Sequence, residues 1–361
     1  MKKPLFEGAF LCTLEIAMNI RIIKYSIPLL FNIGAWRSFH FTGFVTWAPV
    51  VFGFVIIPLF ELFVKPDHGN LDANEEAMAK DDRTYDWILY CIVPIQYVVL
   101  YQFLTHITDP GLTTADTIGR IMTMGLMCGV MGINVGHELG HRVNTTEQTM
   151  ARMLLLTSLY MHFFIEHNRG HHKHVGTPTD PSTAKRNESL YFFWFRSITG
   201  VYRNAWKIAG DEQQKKGKSF LQNEMLHYQL IQLAFLIVIG YVWGWLVLGY
   251  FMTAATIGIL LLETVNYIEH YGLFRKPLGE GKYERAMPEH SWNSDHVLGR
   301  VMLFELSRHS DHHYLASRKY QLLRYHDNSP QLPTGYPGSM ILAMIPPLWF
   351  SIMNKKIDNN Q

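Results

Sequence analysis

Long uncharged runs divide this chain, and they constrain its fold more than any other feature. A helix of about 20 apolar residues spans the roughly 30 Å hydrocarbon layer of a bilayer, where the backbone must bond to itself. The weakest candidate, 20–38, carries Lys24 and Arg37 near its ends. The stronger candidates are 42–64, 86–106, 116–136, 228–249 and 251–270. The sequence therefore predicts an all-α membrane protein with six transmembrane helices.

Most of the Lys, Arg, Asp, Glu and His residues lie outside these runs, in 137–226 and 272–333. The segment 137–226 is rich in Lys and Arg, whereas the loop 107–115 contains neither. The positive-inside rule therefore predicts that both termini and a histidine-rich helical cap face the cytoplasm. We divide the chain into an N-terminal arm with four spans (1–136), a first histidine-rich cap region (137–227), two further spans (228–271) and a C-terminal cap (272–361).

Charge and cysteine content exclude two other classes of protein. The formal net charge is +2, and no basic tract alternates with aromatic residues, so we expect no nucleic-acid binding. Cys12, Cys91 and Cys128 are far apart and lie in or near apolar runs. They form neither a disulfide framework nor a Cys-x-x-Cys metal motif, and we interpret them as packing residues.

The chain contains 18 histidines, and nine of them fall in four short groups. Side chains at i and i+4 share a helix face, so both histidines of the first group can bind the same ion. The first two histidines of the second group can likewise bind one ion together. The first two histidines of the last group repeat this pattern at i and i+3. The groups are His137 and His141 in GHELGH, His167, His171 and His172 in EHNRGHH, His270 in NYIEHYG, and His309, His312 and His313 in RHSDHH.

Nine imidazoles are too many for one ion, and imidazole binds iron, zinc, copper and nickel alike. Isolated histidines such as His106 and His227 are more often packing residues than ligands. GHELGH also matches the His-Glu-x-x-His zinc protease motif, in which Glu138 would activate water. That motif leaves the other histidine groups unexplained. A metal transporter would instead place polar ligands near the middle of the bilayer.

These motifs resemble those of the integral-membrane alkane 1-monooxygenases, within the wider group of membrane fatty-acid desaturases and hydroxylases. The wider group has one His-x3-4-His box and two His-x2-3-His-His boxes, and all three are present. The narrower resemblance covers 134–346. It rests on HELGH, EHNRGHH followed by TPTDPSTA, NYIEHYGL, HSWNSDH, and LSRHSDHHYLASRKYQLLR with LPTGYPG downstream.

The resemblance implies two non-haem iron ions bound by the nine grouped histidines, whose division between the ions stays open. It implies insertion of one oxygen atom of O2 into the terminal C–H bond of a medium-chain alkane dissolved in the bilayer. No flavin or nicotinamide fingerprint is present, so electrons would come from a separate protein, and the resemblance implies that this donor is rubredoxin with an upstream rubredoxin reductase. A bacterial inner membrane is the expected location. A fatty-acid desaturase or hydroxylase is the main alternative.

Supporting residues are predicted less sharply. Metal-bound imidazoles usually donate their other N–H to a carboxylate or carbonyl, although each candidate could equally be a solvated side chain. These candidates are Glu138, Glu166, Glu269, Asp180, Asp311, Asp295, His290 and His296. Gly53, Met127 and Met131 are candidates for a substrate tunnel. Close helix packing is the alternative for the glycine-rich predicted span 116–136, in which Gly125 and Gly129, and Gly132 and Gly136, are four residues apart. Lys and Arg of 185–218, with Arg318, Lys319 and Arg324, could bind an acidic electron donor.

Overall fold

The computed structural model describes residues 22–360, and most of these residues are helical. Most of the predicted N-terminal arm lies outside this range. Five described helices are long and apolar enough to cross a bilayer, and we number them as spans in chain order. They are Gly43–Glu61, Thr84–His106, Thr114–Gly140, Glu224–Trp243 and Trp245–His270.

The additional N-terminal span is not confirmed. The predicted segment 20–38 begins outside the described residues, and its helix, Leu29–His40, contains 12 residues. That helix is about 18 Å long, which is shorter than the hydrocarbon layer. A turn at 25–28 precedes it and ends at Pro28. Proline is tolerated at the start of a helix but not in its interior, so the break falls there.

The fourth and fifth spans meet earlier than the sequence predicted. We expected the first of these helices to continue to residue 249, but the break lies at Gly244, with φ 90° and ψ 163°. A side chain would clash in this conformation, and glycine adopts it without that cost. The chain therefore reverses at Gly244, and Trp245 begins the last span.

Contacts at the span ends fix their directions. The Tyr320 hydroxyl donates to the Tyr85 carbonyl (3.1 Å) where the second span begins, and Arg169 pairs with Glu224 where the fourth begins. At the opposite end, Trp243 Nε1 donates to Thr105 Oγ1 (3.4 Å). The first, third and fifth spans therefore end at the face where the second and fourth begin. His137 and His270 lie at that face.

Small residues hold the third span against the fifth. A Cβ at Gly258 would lie 2.6 Å from Cys128 Cβ, and one at Gly125 would lie 2.5 Å from Ile257 Cγ2. The absence of side chains lets the two helices approach closely, as the glycine spacing predicts. This contact fixes the relative position of the spans that end at His137 and His270.

Two spans contain π-helical turns. The first span joins a 3-10 helix, an α-helix, a π-helix and an α-helix: Gly43–Trp47, Ala48–Val51, Phe52–Ile56 and Ile57–Glu61. The third span joins α, π and α segments: Thr114–Met127, Cys128–Asn134 and Val135–Gly140. A further π-helix, His167–His171, lies outside the spans.

The remaining elements form the cap over the histidine face and the helices beside it. The α-helices are Ala73–Asp81, Thr145–Leu156, Phe163–Glu166, His172–His174, Leu190–Lys215, Val297–Met302, His309–Tyr314, Tyr336–Ala343 and Pro346–Asn360. The 3-10 helices are Phe220–Gln222, Pro288–His290 and Tyr320–Leu322. The strands Pro277–Gly279 and Lys282–Tyr283 pair as an antiparallel hairpin.

Candidate metal centre

Five imidazoles meet where the third span ends. His137, His141, His167, His172 and His312 place their ring nitrogens within 4.8 Å of one another. We call them the five-histidine group. Their Nε2 atoms form a closed ring: His137 to His312 (3.0 Å), His312 to His172 (3.1 Å), His172 to His167 (3.0 Å), His167 to His141 (3.1 Å), and His141 to His137 (3.2 Å).

This ring cannot be satisfied by hydrogen bonds alone. The Nε2 atom of a neutral imidazole either carries a proton or offers a lone pair, and a closed ring with an odd number of members cannot alternate the two. A metal ion instead accepts a lone pair from every ring. Two ligands about 2.1 Å from an ion and at right angles to each other are about 3.0 Å apart, which matches the observed spacing. The group therefore fits a transition metal ion, including iron.

Four further imidazoles meet beside the end of the fifth span. His171, His270, His309 and His313 are all buried, and their ring nitrogens also lie within 4.8 Å of one another. We call them the four-histidine group. Nε2 of His171 lies 3.2 Å from that of His313, and Nε2 of His309 lies 3.2 Å from that of His270. The stacked rings of His172 and His313, with centroids 4.5 Å apart, join the two groups.

All nine predicted ligands therefore come together, but two of the predicted pairings are wrong. His167 joins His172 rather than His171, because His167–His171 is π-helical and its hydrogen bonds run from i to i+5. In the α-helix His309–Tyr314, the residue that shares a group with His309 is His313 at i+4, not His312 at i+3.

Burial lowers the pKa of the cap histidines in both groups, with one exception: it opposes protonation of His171, but the Asp180 carboxylate outweighs it and raises the pKa of that ring. Loss of solvation, reinforced by neighbouring imidazoles, lowers the pKa of His309 and His313 well below the ordinary value. The same loss of solvation lowers the pKa of His312 to about 3. At neutral pH His309, His312 and His313 are therefore uncharged and offer a lone pair, which is the form that binds a metal ion.

Two predicted supporting carboxylates contact the histidines. Asp180 Oδ2 lies 3.0 Å from His171 Nδ1 and also accepts from the Thr183 hydroxyl (2.6 Å). Burial opposes ionisation of Asp180, but the His171 ring and Thr183 outweigh it and lower the carboxyl pKa. Glu269 Oε2 lies 3.2 Å from His309 Nε2, while its Oε1 accepts from the Tyr336 hydroxyl (2.7 Å).

The other supporting candidates have different partners, and within residues 22–360 no side-chain hydrogen bond or ion pair joins them to the nine histidines. Arginines hold three of the carboxylates, an asparagine amide contacts the fourth, and the two histidines contact side chains of the cap. The pairs are Glu138 with Arg142, Asp311 with Arg318, Asp295 with Arg308, Glu166 with Asn204, His290 with Glu284, and His296 with Ser294. Their role beside a metal ion stays a prediction.

Sequence reasoning missed two buried carboxylates, Glu61 and Glu263. Glu263 lies in the fifth span and accepts from the hydroxyls of Tyr160 (2.8 Å) and Ser197 (2.5 Å). Glu61 ends the first span. The available signal was a carboxylate within or at the end of an apolar run, which is expensive in a membrane and often functional.

An apolar cavity of about 80 Å³ lies between the first, third and fifth spans and the cap. Gly53 is part of its wall, and its role in a substrate tunnel stays a prediction. Met127 and Met131 are buried but do not line it; Leu126, Val130 and Asn134 do, because residues four apart share one face of the third span. The wall residue Tyr336 donates a hydrogen bond to Glu269, which contacts His309 of the four-histidine group.

Comparison with known proteins gives consistent matches. The fatty acid desaturase family model matches residues 116–340. Alkane 1-monooxygenase 1 of Pseudomonas aeruginosa is 44% identical over 345 residues, covering 93% of this chain and 88% of the relative. Alkane 1-monooxygenase 2 of Alcanivorax borkumensis is 36% identical over 315 residues, covering 86% and 82%. The xylene/toluene monooxygenase hydroxylase component of Pseudomonas putida is 30% identical over 241 residues, covering 66% and 63%.

Proposed function

Because this chain belongs to the alkane 1-monooxygenase family, we propose that it hydroxylates the terminal carbon of medium-chain alkanes at a di-iron centre. One oxygen atom of O2 enters the C–H bond, and the product is a 1-alkanol. The observation that carries this proposal is the pair of histidine groups, which Glu269 and Tyr336 connect to the wall of an apolar cavity. A hydrocarbon has no group that a polar site could recognise, so an apolar cavity is the matching chemistry.

In this proposal, the five-histidine and four-histidine groups each hold one iron ion. Bound iron supplies the redox chemistry that O2 activation requires, since an unactivated C–H bond offers neither an acidic proton nor an electrophile. With iron bound, the Nδ1–H of His171 would donate a hydrogen bond to Asp180, and the Nε2 lone pair of that ring would be free for the ion. Glu269, held by Tyr336, lies beside His309 at the cavity side.

The cavity wall positions the substrate and keeps water out. Tyr336 links the wall to the four-histidine group through Glu269, and Asn134 lies about one turn before His137. An alkane in this cavity would therefore have one end near the histidines. The apolar side chains around it would limit the access of water to reactive species.

Electrons would come from rubredoxin at the cytoplasmic face of the inner membrane. Three residues of the predicted docking surface are engaged within the chain: Arg318 with Asp311, Lys319 with Asp86, and Arg324 with Glu76. The helix Leu190–Lys215 is the better candidate, because its Asn204 bonds Glu166 of the segment that carries the second histidine box. Its exposed cations, which we call the basic surface, are Arg203, Lys207 and Lys215.

The zinc protease alternative loses its general base in this arrangement. Glu138 pairs with Arg142 (2.7 Å) and accepts from the Tyr320 amide (3.2 Å). A carboxylate engaged in this way is poorly placed to activate water. His137 and His141 also belong to a group of five rings, whereas a protease zinc ion needs three protein ligands.

The test is product formation by purified, iron-loaded protein with reduced rubredoxin and O2. Octane, dodecane and dodecanoate are offered in parallel, and iron is counted in each preparation. For the wild type we expect two irons per chain and 1-alkanols from the alkanes. His312→Ala should contain less iron and form no 1-alkanol. His227→Ala is the matched control, because that ring bonds the Leu221 carbonyl away from both groups. Oxidation of dodecanoate alone, or one tightly bound zinc without alcohol, would refute the proposal.

A further inference from the structure

Glu61 presents a buried carboxylate oxygen without a partner. Its side chain ends the first span, and the residue is only 6% exposed. Oε1 accepts a hydrogen bond from the Gly299 amide (2.8 Å). Across the part of the chain that the structure describes, buried Oε2 has no hydrogen-bond partner. An unsatisfied buried carboxylate oxygen is costly, so it points to a hydrogen-bonding ligand or to water.

The carboxylate separates the apolar cavity from an outer cleft. Ile57, one helical turn before Glu61, lines the cavity together with Gly299 and Pro337. On the other side, an open cleft of about 550 Å³ is lined by Glu61, Leu62, Phe63, Lys65, His296 and Thr334. Leu62 and Phe63 directly follow the first span and are strongly exposed, where a bilayer would cover them. A molecule that left the cavity past Glu61 would therefore reach the membrane interface.

Two glycines leave room for this carboxylate. A Cβ at Gly299 would lie 2.8 Å from Glu61 Oε1, and a Cβ at Gly335 would overlap Oε2. Any side chain at these positions would displace or cover the carboxylate. The local backbone thus holds Glu61 between the two spaces while leaving one oxygen free.

The other polar groups on the cavity wall are already engaged. Asn134 Nδ2 donates to the Leu303 carbonyl (3.0 Å), and the Tyr336 hydroxyl donates to Glu269. The proposed reaction changes a molecule without hydrogen-bonding groups into one with a hydroxyl. That hydroxyl needs a partner as it leaves the metal centre. It both donates and accepts, so it can pair with Glu61 Oε2 whether the carboxyl group is ionised or protonated.

We propose that Glu61 binds the hydroxyl group of the 1-alkanol and forms an exit site between the apolar cavity and the membrane interface. This inference rests on the proposed function, because that reaction supplies the alcohol. The site discriminates alcohol from alkane, since an alkane gains nothing from a polar oxygen. It would therefore promote release of product in the presence of excess substrate.

Photolabelling tests the site without turnover. The probe is octanol that carries a diazirine on its chain, added to the iron-loaded protein in lipid nanodiscs and located by mass spectrometry. We expect saturable labelling at Glu61 or at residues of the outer cleft, displaced by 1-octanol and not by octane. Glu61→Leu should abolish this labelling, and Glu61→Gln should retain it. Glu147→Gln, which changes a buried carboxylate bonded to Tyr90, is the matched control.

Product inhibition gives a second measurement. Loss of a hydrogen bond to a charged group should raise the inhibition constant of 1-octanol about 10- to 100-fold in Glu61→Leu. Unchanged inhibition, or wild-type labelling confined to other sites, would overturn the inference even if octane is hydroxylated. Saturable labelling at Glu61 without octane hydroxylation would instead refute the proposed function and leave an alcohol site. If Glu61→Leu does not fold, displacement of the photolabel from the wild-type protein by 1-octanol, and not by octane, decides whether the alcohol site exists.

Discussion

Asp180 allows the sharpest test of how the two histidine groups are supported. Its carboxylate is 2% exposed, and one oxygen contacts both His171 Nδ1 (3.0 Å) and the Thr183 hydroxyl (2.6 Å). The carboxylate fixes the ring tautomer that directs the Nε2 lone pair towards the four-histidine group. Asp180→Ala should therefore weaken metal binding at that group and leave the five-histidine group unaffected.

The expected magnitude follows from the burial and charge of this contact. A hydrogen bond to a charged group contributes about 1.5–3 kcal/mol, and burial leaves little solvent screening to reduce it. At about 1.4 kcal/mol for each tenfold change, the affinity for one ion should fall roughly 10- to 100-fold. Asp180→Asn retains an oxygen that can accept a hydrogen bond from Thr183, so the fall in metal affinity of this variant should lie near the lower end of this range.

The assay is titration of the metal-free protein with Co²⁺ against a competing chelator, followed by ligand-field absorption. We expect the first equivalent to bind as in the wild type and the second to bind more weakly. Glu284→Ala is the matched control, because it removes a carboxylate 3.1 Å from His290, a histidine outside both groups. Two equivalents bound with unchanged affinity in Asp180→Ala, or an equal loss in Glu284→Ala, would refute the reasoning.

Three further predictions concern stability, substrate length and electron transfer. Burial opposes ionisation of Glu305, but Arg300 and Lys24 outweigh it and lower its pKa to about 2. The ionised Glu305 carboxylate therefore stabilises the folded state by about 3 kcal/mol above the unfolded pKa of about 4.3, and this stabilisation is lost as the pH falls towards 2. The melting temperature of Glu305→Gln should depend less on pH in this range than that of the wild type. Parallel curves of melting temperature against pH would contradict this prediction. A Cβ at Gly53 would lie 3.8 Å from Leu126, so the side chain of Gly53→Trp should fill the cavity. This variant should lose more dodecane hydroxylation than octane hydroxylation, whereas Gly53→Ala should not. An unchanged product range in Gly53→Trp would count against a substrate role for this cavity. Replacing the three cations of the basic surface with Glu should raise the KM for rubredoxin, and the size of this effect should depend on salt concentration. Turnover with a small chemical reductant should persist. Equal losses of activity with both donors would exclude rubredoxin docking at the basic surface.

The positions of the spans could be predicted because apolar length is a local property. The predicted segments 86–106 and 116–136 became Thr84–His106 and Thr114–Gly140. The break between the last two spans was misplaced, because Gly244 and Gly249 are both glycines within an apolar run. Only the backbone conformation distinguishes the glycine that allows the chain to reverse.

The sequence could not distinguish the supporting candidates that contact the histidines from those that do not, because closeness in sequence is not contact. Asp311 lies between His309 and His312 in sequence, yet its carboxylate contacts Arg318 and His326. Asp180 lies nine positions after His171 and contacts it. A loop with Gly176 at φ 68°, tied by the Gly176 amide to Thr183 Oγ1 (2.9 Å), accompanies that contact. No periodic pattern in the sequence predicts the conformation of this loop.

The division of the histidines depends on helix type, and it explains how the two groups are kept together. In an α-helix His167 and His171 would share a face, but the π-helical turn aligns His167 with His172 and sends His171 to the other group. The α-helix His309–Tyr314 reaches the same result differently, since His309 and His313 share one group and His312 joins the other. Two short helical segments therefore each contribute to both groups. Because adjacent residues on a rigid helix keep a fixed separation, His171 beside His172 and His312 beside His313 hold the two histidine groups side by side.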